Sequence, residues 1–236
     1  MVTFQWLIGI IAVIITPFST IPQLYKTIKT KNVGTISFNS FWILWSGSIA
    51  WILYSVYKTE VSPILLTASV IDLFLLSSLI FLFYKYSNHK LFKVVIGILS
   101  TGILAIFVLA TLALSNVFKI NNFYLNSVLI NFASFCISFA SLPQIIKTIY
   151  LNKIKGLSLF YKSLVLGVEV SWFSYWLIAG LLTIYNIQGG VSVPVEEMIQ
   201  LLVWASFAVV INLILVLLII FKDTIPTLKQ KRANKH

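Results

Sequence analysis

The sequence predicts an all-α membrane protein in which seven transmembrane helices form two parallel three-helix bundles, joined by an inversion-linker helix. Three observations predict this class: the composition, the number of long apolar segments and an internal repeat. Of the 236 residues, 59% are hydrophobic and only 10% are charged, with a mean hydropathy of +0.99. A soluble domain carries roughly 25% charged residues. A chain this apolar therefore belongs in a bilayer.

Seven segments are long enough to cross a membrane as helices, since about 20 apolar residues are needed for each span. Pro63 and Pro194 stand where the third and seventh segments begin, a position at which a helix tolerates proline. Ser37 and Ser158 precede the second and sixth segments and are expected to cap them. The predicted spans are 4–28, 38–57, 61–84, 91–115, 123–148, 159–183 and 198–221.

Basic residues are distributed unevenly between the two sides of this topology. Only Lys58 and Lys119 fall on one side, whereas fifteen fall on the other. The positive-inside rule places the fifteen in the cytoplasm, so the N-terminus is expected outside and the C-terminus inside the cell membrane. Cations in such a chain are interpreted as topology anchors, and no nucleic-acid partner is expected. A single arginine beside many lysines, isoleucines and asparagines favours a bacterial source. The fifteen are Lys26, Lys29, Lys31, Lys85, Lys90, Lys93, Lys147, Lys153, Lys155, Lys162, Lys222, Lys229, Lys231, Arg232 and Lys235.

An internal repeat relates the two halves of the chain. The segments TIPQLYKTIK (20–29) and SLPQIIKTIY (141–150) lie 121 positions apart, and at this shift Trp51 aligns with Trp172 without a gap. Ungapped agreement over two helices and a loop indicates a duplication. The third span matches the seventh at a shift of 140, over a shorter and more apolar stretch.

The repeat predicts how the helices are grouped. Three helices in each half would leave the second half inverted, and the unmatched fourth span restores its direction. The expected units are a three-helix repeat over 1–88, a linker helix over 89–121, a second repeat over 122–222 and a basic cytoplasmic tail over 223–236. Parallel repeats of this kind occur in secondary transporters, in which the substrate site lies near the middle of the bilayer between the repeats.

Two Pro-Gln motifs at the cytoplasmic ends of the first and fifth spans resemble those of the PQ-loop family (SWEET-like, MtN3/saliva). That family includes the SWEET sugar transporters, their half-size bacterial relatives and lysosomal amino-acid exporters such as cystinosin. The stretches KTIKTKNVGTIS and KTIYLNKIKGLS also resemble the family's basic loop ending in serine. The resemblance extends from Phe4 to Phe221 and implies the seven-helix fold and alternating-access transport. It does not imply a substrate, because the family carries chemically unlike solutes.

The Pro-Gln motifs are predicted to act as hinges. An interior proline removes a backbone hydrogen bond and kinks a helix, at a cost of about 3 kcal/mol or more. Static kinks are one interpretation of Pro22 and Pro143, and matched hinges of a two-fold gate are the other. The amides of Gln23 and Gln144 are expected to bind loosened backbone nearby. Pro17 predicts a further kink in the first span.

Two acidic residues fall inside predicted spans. Asp72 is at the midpoint of the third span and Glu169 is near the middle of the sixth, where a charge costs about 2.5–3.5 kcal/mol. They are candidates for proton coupling or for a counter-charge to the substrate; the alternative is a neutral acid that bonds a neighbouring helix. Their repeat counterparts, Asn212 and Ser48, carry no charge.

Further candidates for substrate binding are aromatic and polar. The tyrosines Tyr54 and Tyr175 lie one turn from Trp51 and Trp172, and such rings are belt residues at an interface or pocket residues. The resemblance implies a pocket role for Trp51 and places the asparagine of sugar-carrying relatives at Ser69, with Val209 in the other half and Asp72 and Asn212 one turn deeper. Asn131 begins a polar stripe with Ser134, Ser138 and Ser141 that suits either pore lining or helix packing.

The sequence contains no nucleotide-binding motif and no catalytic constellation, so we expect no enzyme activity, no cofactor and no metal. Expected partners are a small-molecule solute and the lipid bilayer, with a homo-oligomer left open. The slightly favoured hypothesis is proton-linked transport of an amino acid or other amine, because of Asp72 and Glu169. The alternatives are SWEET-like facilitated sugar transport and a non-transporting receptor or assembly factor on the same fold.

Overall fold

The structure, a computed structural model, describes residues 1–57, 63–115, 123–185, 187 and 195–224. Within these ranges it contains nine α-helices and one short π-helix (Ile220–Thr224) and no strand, which confirms the all-α class. The helices are α1 (Val2–Ser19), α2 (Ile21–Thr30), α3 (Phe38–Tyr57), α4 (Pro63–Tyr86), α5 (Phe92–Leu114), α6 (Phe123–Phe139), α7 (Leu142–Leu151), α8 (Leu159–Ile184) and α9 (Val195–Ile219).

Six stretches of the described chain are long and apolar enough to cross a membrane: Val2–Thr30, Leu66–Tyr86, Phe92–Leu114, Leu125–Leu151, Leu159–Ile184 and Val195–Asp223. The protein is therefore a multi-pass membrane protein. Helix α3 has 20 residues but is absent from this set. It carries three tryptophans and four serines, which lower its hydropathy. Its role as a seventh span stays a prediction. Pro63 is the first residue of α4, as predicted, and Pro194 lies outside the described residues.

The first and fifth predicted spans are each interrupted near their Pro-Gln motif. Helix α1 ends at Ser19 and α2 begins at Ile21, which makes Pro22 the second residue of α2. Proline is well tolerated in a first helical turn, because the N–H that it lacks would have no partner there. Pro143 has the same place in α7. The interruptions therefore come just before the prolines. Pro17 lies within α1 and does not end it.

Helix boundaries repeat at the shift of 121 that the sequence predicted. Helices α2 and α7 start and end at equivalent residues, and each is followed by a left-handed residue, Lys31 or Asn152, both with φ of 49°. The next helices, α3 and α8, also begin at equivalent positions. Ser158 caps α8 by accepting a hydrogen bond from Tyr161 N at 3.3 Å, which confirms its predicted role.

Helix contacts follow the same correspondence. Helix α4 packs against α1 and α3, while α9 packs against α6 and α8. Between the halves, α1 packs against α8 and α3 packs against α6. Helix α5 has no counterpart and packs against α4 and α3. Much of the buried core runs along α4, with Leu73, Leu76, Leu79, Ile80 and Phe83 all at most 1% exposed. The interfaces between α1 and α8 and between α3 and α6 leave a cavity between the halves.

Candidate functional site

The two Pro-Gln glutamines bind the backbone of the opposite half. Gln23 Oε1 accepts a hydrogen bond from Ser158 N at 2.7 Å, and Gln23 Nε2 donates to Gly156 O at 3.0 Å. Gln144 Oε1 accepts from Ser37 N at 2.6 Å, and its Nε2 donates to the Thr35 carbonyl at 3.3 Å. Both side chains are buried. The expectation that these amides bind backbone loosened in their own vicinity is corrected: their backbone partners lie across the interface between the halves.

Two lysines extend this symmetric contact. Lys26 Nζ donates to Leu157 O at 2.7 Å, and Lys147 Nζ donates to Ile36 O at 2.9 Å. Hydrogen bonds from a charged donor are stronger than neutral ones. We call the four side chains Gln23, Lys26, Gln144 and Lys147, together with the backbone of 35–37 and 156–158, the Pro-Gln clasp.

The loops held by the Pro-Gln clasp also touch each other directly. Thr35 N donates to Lys155 O at 3.0 Å, and Lys155 N donates to Thr35 Oγ1 at 2.9 Å. Gly34 and Gly156 have φ of +54° and +87°, a conformation that favours glycine. A Cβ at Gly34 would lie 2.5 Å from Lys155 O, and one at Gly156 would lie 2.6 Å from Val33 O. The Pro-Gln end of the molecule is therefore closed by backbone packed on backbone.

A cavity of about 160 Å³ lies between the halves, close to the middle of the long helices. Its lining is contributed by α1, α3, α4, α6, α8 and α9 and by the Thr20 junction. Four tryptophans, several serine and threonine hydroxyls and two carboxylates line it, and its described lining includes no lysine, arginine or histidine. A cavity of this size holds several water molecules, and an apolar lining with a few polar groups is typical of a small-molecule site.

Asp72 and Glu169 both face this cavity. Thr20 Oγ1 donates to Asp72 Oδ1 at 3.5 Å, the outer limit for a hydrogen bond. Glu169 is 9% exposed, and within the described chain no residue donates a hydrogen bond to its carboxylate. The structure thus brings the two predicted acids into one cavity, although they come from different halves.

The counterpart of the Thr20–Asp72 pair lies outside the cavity lining. Ser141 Oγ donates to Asn212 Oδ1 at 2.8 Å, and Asn212 is 2% exposed. Thr20 and Ser141 are equivalent at the shift of 121, and Asp72 and Asn212 are equivalent at the shift of 140. Matching contacts therefore support the second, weaker register.

The prediction that Lys162 is a topology anchor in a cytoplasmic loop is corrected. Lys162 lies in the first turn of α8, is 7% exposed and donates to Ser141 Oγ at 2.9 Å and to Asn212 Oδ1 at 3.5 Å. The equivalent residue of the first half is Phe41. The halves therefore differ in charge, with an acid in the first cluster and a buried ammonium in the second.

The other predicted residues divide into two groups. Trp51, Ser69 and Trp172 line the cavity. Tyr54 and Tyr175 are not part of its lining. Tyr54 OH donates to Glu197 Oε1 at 2.5 Å and so joins α3 to α9, while Tyr175 packs so closely on α1 that a Cβ at Gly9 would lie 2.9 Å from its ring.

The predicted polar stripe on the fifth span is mixed in role. Ser134 and Ser138 line the cavity, and Ser138 also donates to Trp204 O at 2.8 Å. Asn131 donates to Gln200 Oε1 at 3.1 Å and accepts from Trp204 Nε1 at 3.1 Å, which is a packing role. Val209 is absent from the lining, where Ala205 and Ala208 represent that part of α9.

Sequence reasoning missed three aromatic residues of the lining: Tyr161, Trp176 and Trp204. Trp176 follows Trp172 by one turn, and their rings stack with centroids 6.2 Å apart, so i, i+4 spacing could have revealed it. Tyr161 lies about two turns before Glu169 on α8, so helical periodicity from that acid could have revealed it too. Trp204 had no comparable signal, because its repeat counterpart is not aromatic.

Comparisons with known proteins identify the family of the chain. A model of the PQ loop repeat matches residues 4–64. The sugar transporter SemiSWEET of Leptospira biflexa serovar Patoc is 34% identical over 82 residues, which span 92% of that protein and 35% of this chain. The chain belongs to the PQ-loop family. The sugar transporter SemiSWEET of Escherichia coli is 35% identical to this PQ-loop protein over 69 residues, or 75% of the relative and 29% of the chain. No solved structure matches it.

Proposed function

We propose that this PQ-loop protein is a SWEET-like transporter that moves a sugar through the central cavity by facilitated diffusion. The observation that carries the proposal is the cavity itself, to which Trp51 and Trp172 contribute from equivalent positions of the two halves. Both relatives described above are named sugar transporters. These findings favour sugar over the proton-linked amine that the acidic residues alone suggested.

The lining suits a sugar chemically. The apolar face of a sugar ring packs well on an aromatic ring, and the cavity offers indoles from both halves. Sugar hydroxyls need hydrogen-bond partners once they leave water, and Ser48, Ser69 and the carboxylates of Asp72 and Glu169 supply oxygen atoms in the lining. Ser69 and Asp72 would then take the place of the asparagine found in sugar-carrying relatives.

Transport would follow alternating access between two parallel bundles of three spans each, with α5 as the linker. In the first bundle α1 and α2 together form one span beside α3 and α4, and in the second α6 and α7 together form one span beside α8 and α9. The interruptions at Thr20 and Ser141 would serve as hinges, because each separates a short helix with its own Pro-Gln motif from a longer one. Opening the cavity at the Pro-Gln end requires the clasp to break, since both loops lie across that end. We place this end at the cytoplasm. Without Lys162, fourteen basic residues still fall on that side against two on the other.

The test is counterflow of labelled sugars into proteoliposomes. Wild-type protein is expected to exchange at least one hexose or disaccharide, and Trp51→Ala and Trp172→Ala are expected to reduce the exchange about ten-fold or more, by loss of aromatic packing of about 1.4 kcal/mol or more. Trp6→Ala is the matched control, because Trp6 is 50% exposed on α1 and is not part of the lining. No exchange of any sugar by folded wild-type protein would refute the proposal. Partner proteins that co-purify in that case would favour a receptor or assembly factor.

A second candidate is proton-linked transport of an amine-bearing solute, favoured by the two carboxylates in the cavity. Uptake driven by an imposed pH gradient is its signature. Asp72→Asn is expected to abolish that dependence, with Glu196→Gln, an exposed acid at the start of α9, as control. Unchanged pH behaviour of the Asp72 variant would eliminate this candidate.

A further inference from the structure

We propose that the preferred cargo is a hydroxylated solute that also carries one positive charge, of the amino-sugar class. This inference rests on the proposed transport function and narrows its substrate. It comes from the balance of charge and of hydrogen-bond donors and acceptors around the central cavity.

The cavity is lined by acids without a matching base. Asp72 and Glu169 line it, and the part of its wall that the structure describes holds no cationic side chain. No ion pair within 4 Å involves either acid in the described residues, and Glu169 accepts no hydrogen bond there although it is only 9% exposed. An ionised carboxylate without a partner is strongly unfavourable in such a site, so each acid either binds a proton or meets a counter-charge, and a cationic cargo would supply that counter-charge.

Lys162 does not supply that counter-charge within the cavity. Its ammonium is bonded to Ser141 and Asn212 and lies outside the lining. Lys162 precedes Glu169 by seven residues, or two turns of α8, which is about 10.5 Å along the helix. At that separation it offsets part of the negative potential without pairing. With Asp72 and Glu169 ionised and Lys162 protonated, this buried region carries one excess negative charge, which one ammonium group on the cargo would neutralise.

Aromatic rings reinforce the preference for a cation. Trp51, Trp172, Trp176, Trp204 and Tyr161 line the same cavity as the two acids. The face of an indole or phenol ring is electron-rich and attracts an ammonium group within about 6 Å of its centre. Rings combined with carboxylates therefore favour a charged amine over a neutral solute of equal size.

Most hydroxyl groups of the lining already donate their hydrogen to an acceptor within the protein. Thr16 donates to Ala12 O at 2.7 Å, Ser19 to Thr16 O at 2.8 Å and Ser48 to Leu44 O at 3.0 Å. A hydroxyl has one hydrogen to donate and two lone pairs, so these groups keep only acceptor capacity for a ligand. A cargo rich in donors suits such a wall: an ammonium group supplies three, and each sugar hydroxyl supplies one more.

The test compares glucosamine with glucose and with N-acetylglucosamine, in which the amine is converted to a neutral amide. Counterflow in proteoliposomes is measured at about pH 7, where most of the glucosamine amine is still charged. Wild-type protein is expected to take glucosamine at least about ten-fold more efficiently than either neutral sugar, as the ratio of initial rate to concentration. Glu169→Gln and Asp72→Asn are expected to bring that ratio towards one, whatever their absolute rates. Glu196→Gln, which alters an exposed acid outside the cavity, should keep it.

Binding in detergent provides a second measurement that needs no transport. Glucosamine is expected to raise the midpoint of thermal unfolding at concentrations where glucose does not, and Glu169→Gln should remove the difference. Equal or better transport of glucose by the wild type would overturn this inference while leaving sugar transport intact. An undiminished glucosamine preference in both acid variants would overturn it too. Failure of all three sugars to exchange or bind would overturn this inference, and the proposed function would fall with it only if no other hexose or disaccharide is exchanged either.

Discussion

Gln23 of α2 and Ser158 at the start of α8 are joined across the two halves by a 2.7 Å hydrogen bond from the Ser158 N–H to Gln23 Oε1. Its equivalent joins Gln144 to Ser37 at 2.6 Å. Each glutamine therefore accepts from a buried backbone N–H at the beginning of the opposite half's helix, where that N–H has no partner within its own helix. The Pro-Gln motif links the two repeats, in addition to interrupting its own span.

Removal of either glutamine is expected to open the Pro-Gln clasp. Gln23→Ala leaves the buried Ser158 N–H without a partner, at a cost of about 1–3 kcal/mol, and also removes the hydrogen bond to the half-buried Gly156 carbonyl. We expect a lower unfolding midpoint and a longer distance between spin labels at Lys29 and Tyr150, which are exposed and equivalent in α2 and α7. Gln144→Ala should behave alike.

Gln200→Ala is the control for the clasp variants, because it removes a glutamine hydrogen bond within the second half. It should leave the distance between the labels unchanged. An unaltered distance in both clasp variants would show that the loops hold together without the glutamines.

Close packing of the two loops predicts a strong effect of alanine at their glycines. Gly34→Ala and Gly156→Ala each place a Cβ within 2.6 Å of a backbone carbonyl and require a positive φ. Strain at a positive φ alone costs about 1–2 kcal/mol, and the collision adds to it. Both variants are expected to lower the thermal unfolding midpoint and to slow solute exchange.

Gly97→Ala is the matched control for the loop glycines. Gly97 lies in α5, with no atom within 4 Å of the Cβ that alanine would add. Its substitution is expected to be neutral or slightly stabilising, because alanine favours the helix. Loop variants as stable as the Gly97 variant would contradict the observed approach of the loops.

The buried cluster at Lys162 predicts an asymmetric pair of outcomes. Lys162→Met replaces a desolvated ammonium with an apolar chain of similar length and leaves Ser141 bonded to Asn212, so stability should stay equal or rise. Asn212→Leu leaves Lys162 with fewer partners and should cost about 1–3 kcal/mol. Equilibrium unfolding in denaturant measures both. A larger loss of stability for Lys162→Met than for Asn212→Leu would show that the ammonium itself stabilises the fold.

The hydrogen bond between Tyr54 and Glu197 joins α3 of the first half to α9 of the second at 2.5 Å. Tyr54→Phe and Glu197→Gln, alone and together, form a double-mutant cycle. A charge-assisted bond of this kind is expected to give a coupling of about 1.5–3 kcal/mol. The cycle is read from unfolding in denaturant, and a coupling near zero would mean that the pair contributes nothing net.

From the amino-acid sequence we could predict the helical class, the approximate bounds of the spans and the repeated Pro-Gln motif. Those properties follow from local signals: a span needs about 20 apolar residues, and a copied motif keeps its spacing. Pro22 and Pro143 could be recognised as equivalent for that reason, as could Trp51 and Trp172. The charges of Asp72 and Glu169 also stood out, because acids are rare inside apolar segments.

Which of these side chains meet depends on how the helices pack. In a helix that is apolar on every face, hydropathy does not report which side turns inward, and packing against neighbouring helices sets that rotation. Trp51 thus reaches the cavity whereas Tyr54 binds Glu197, although they are one turn apart. The same packing takes Gln23 across to Gly156, 133 residues away in the chain, and buries Lys162 beside Asn212. Contacts between the halves depend on how two folded repeats dock, and no local pattern encodes that docking.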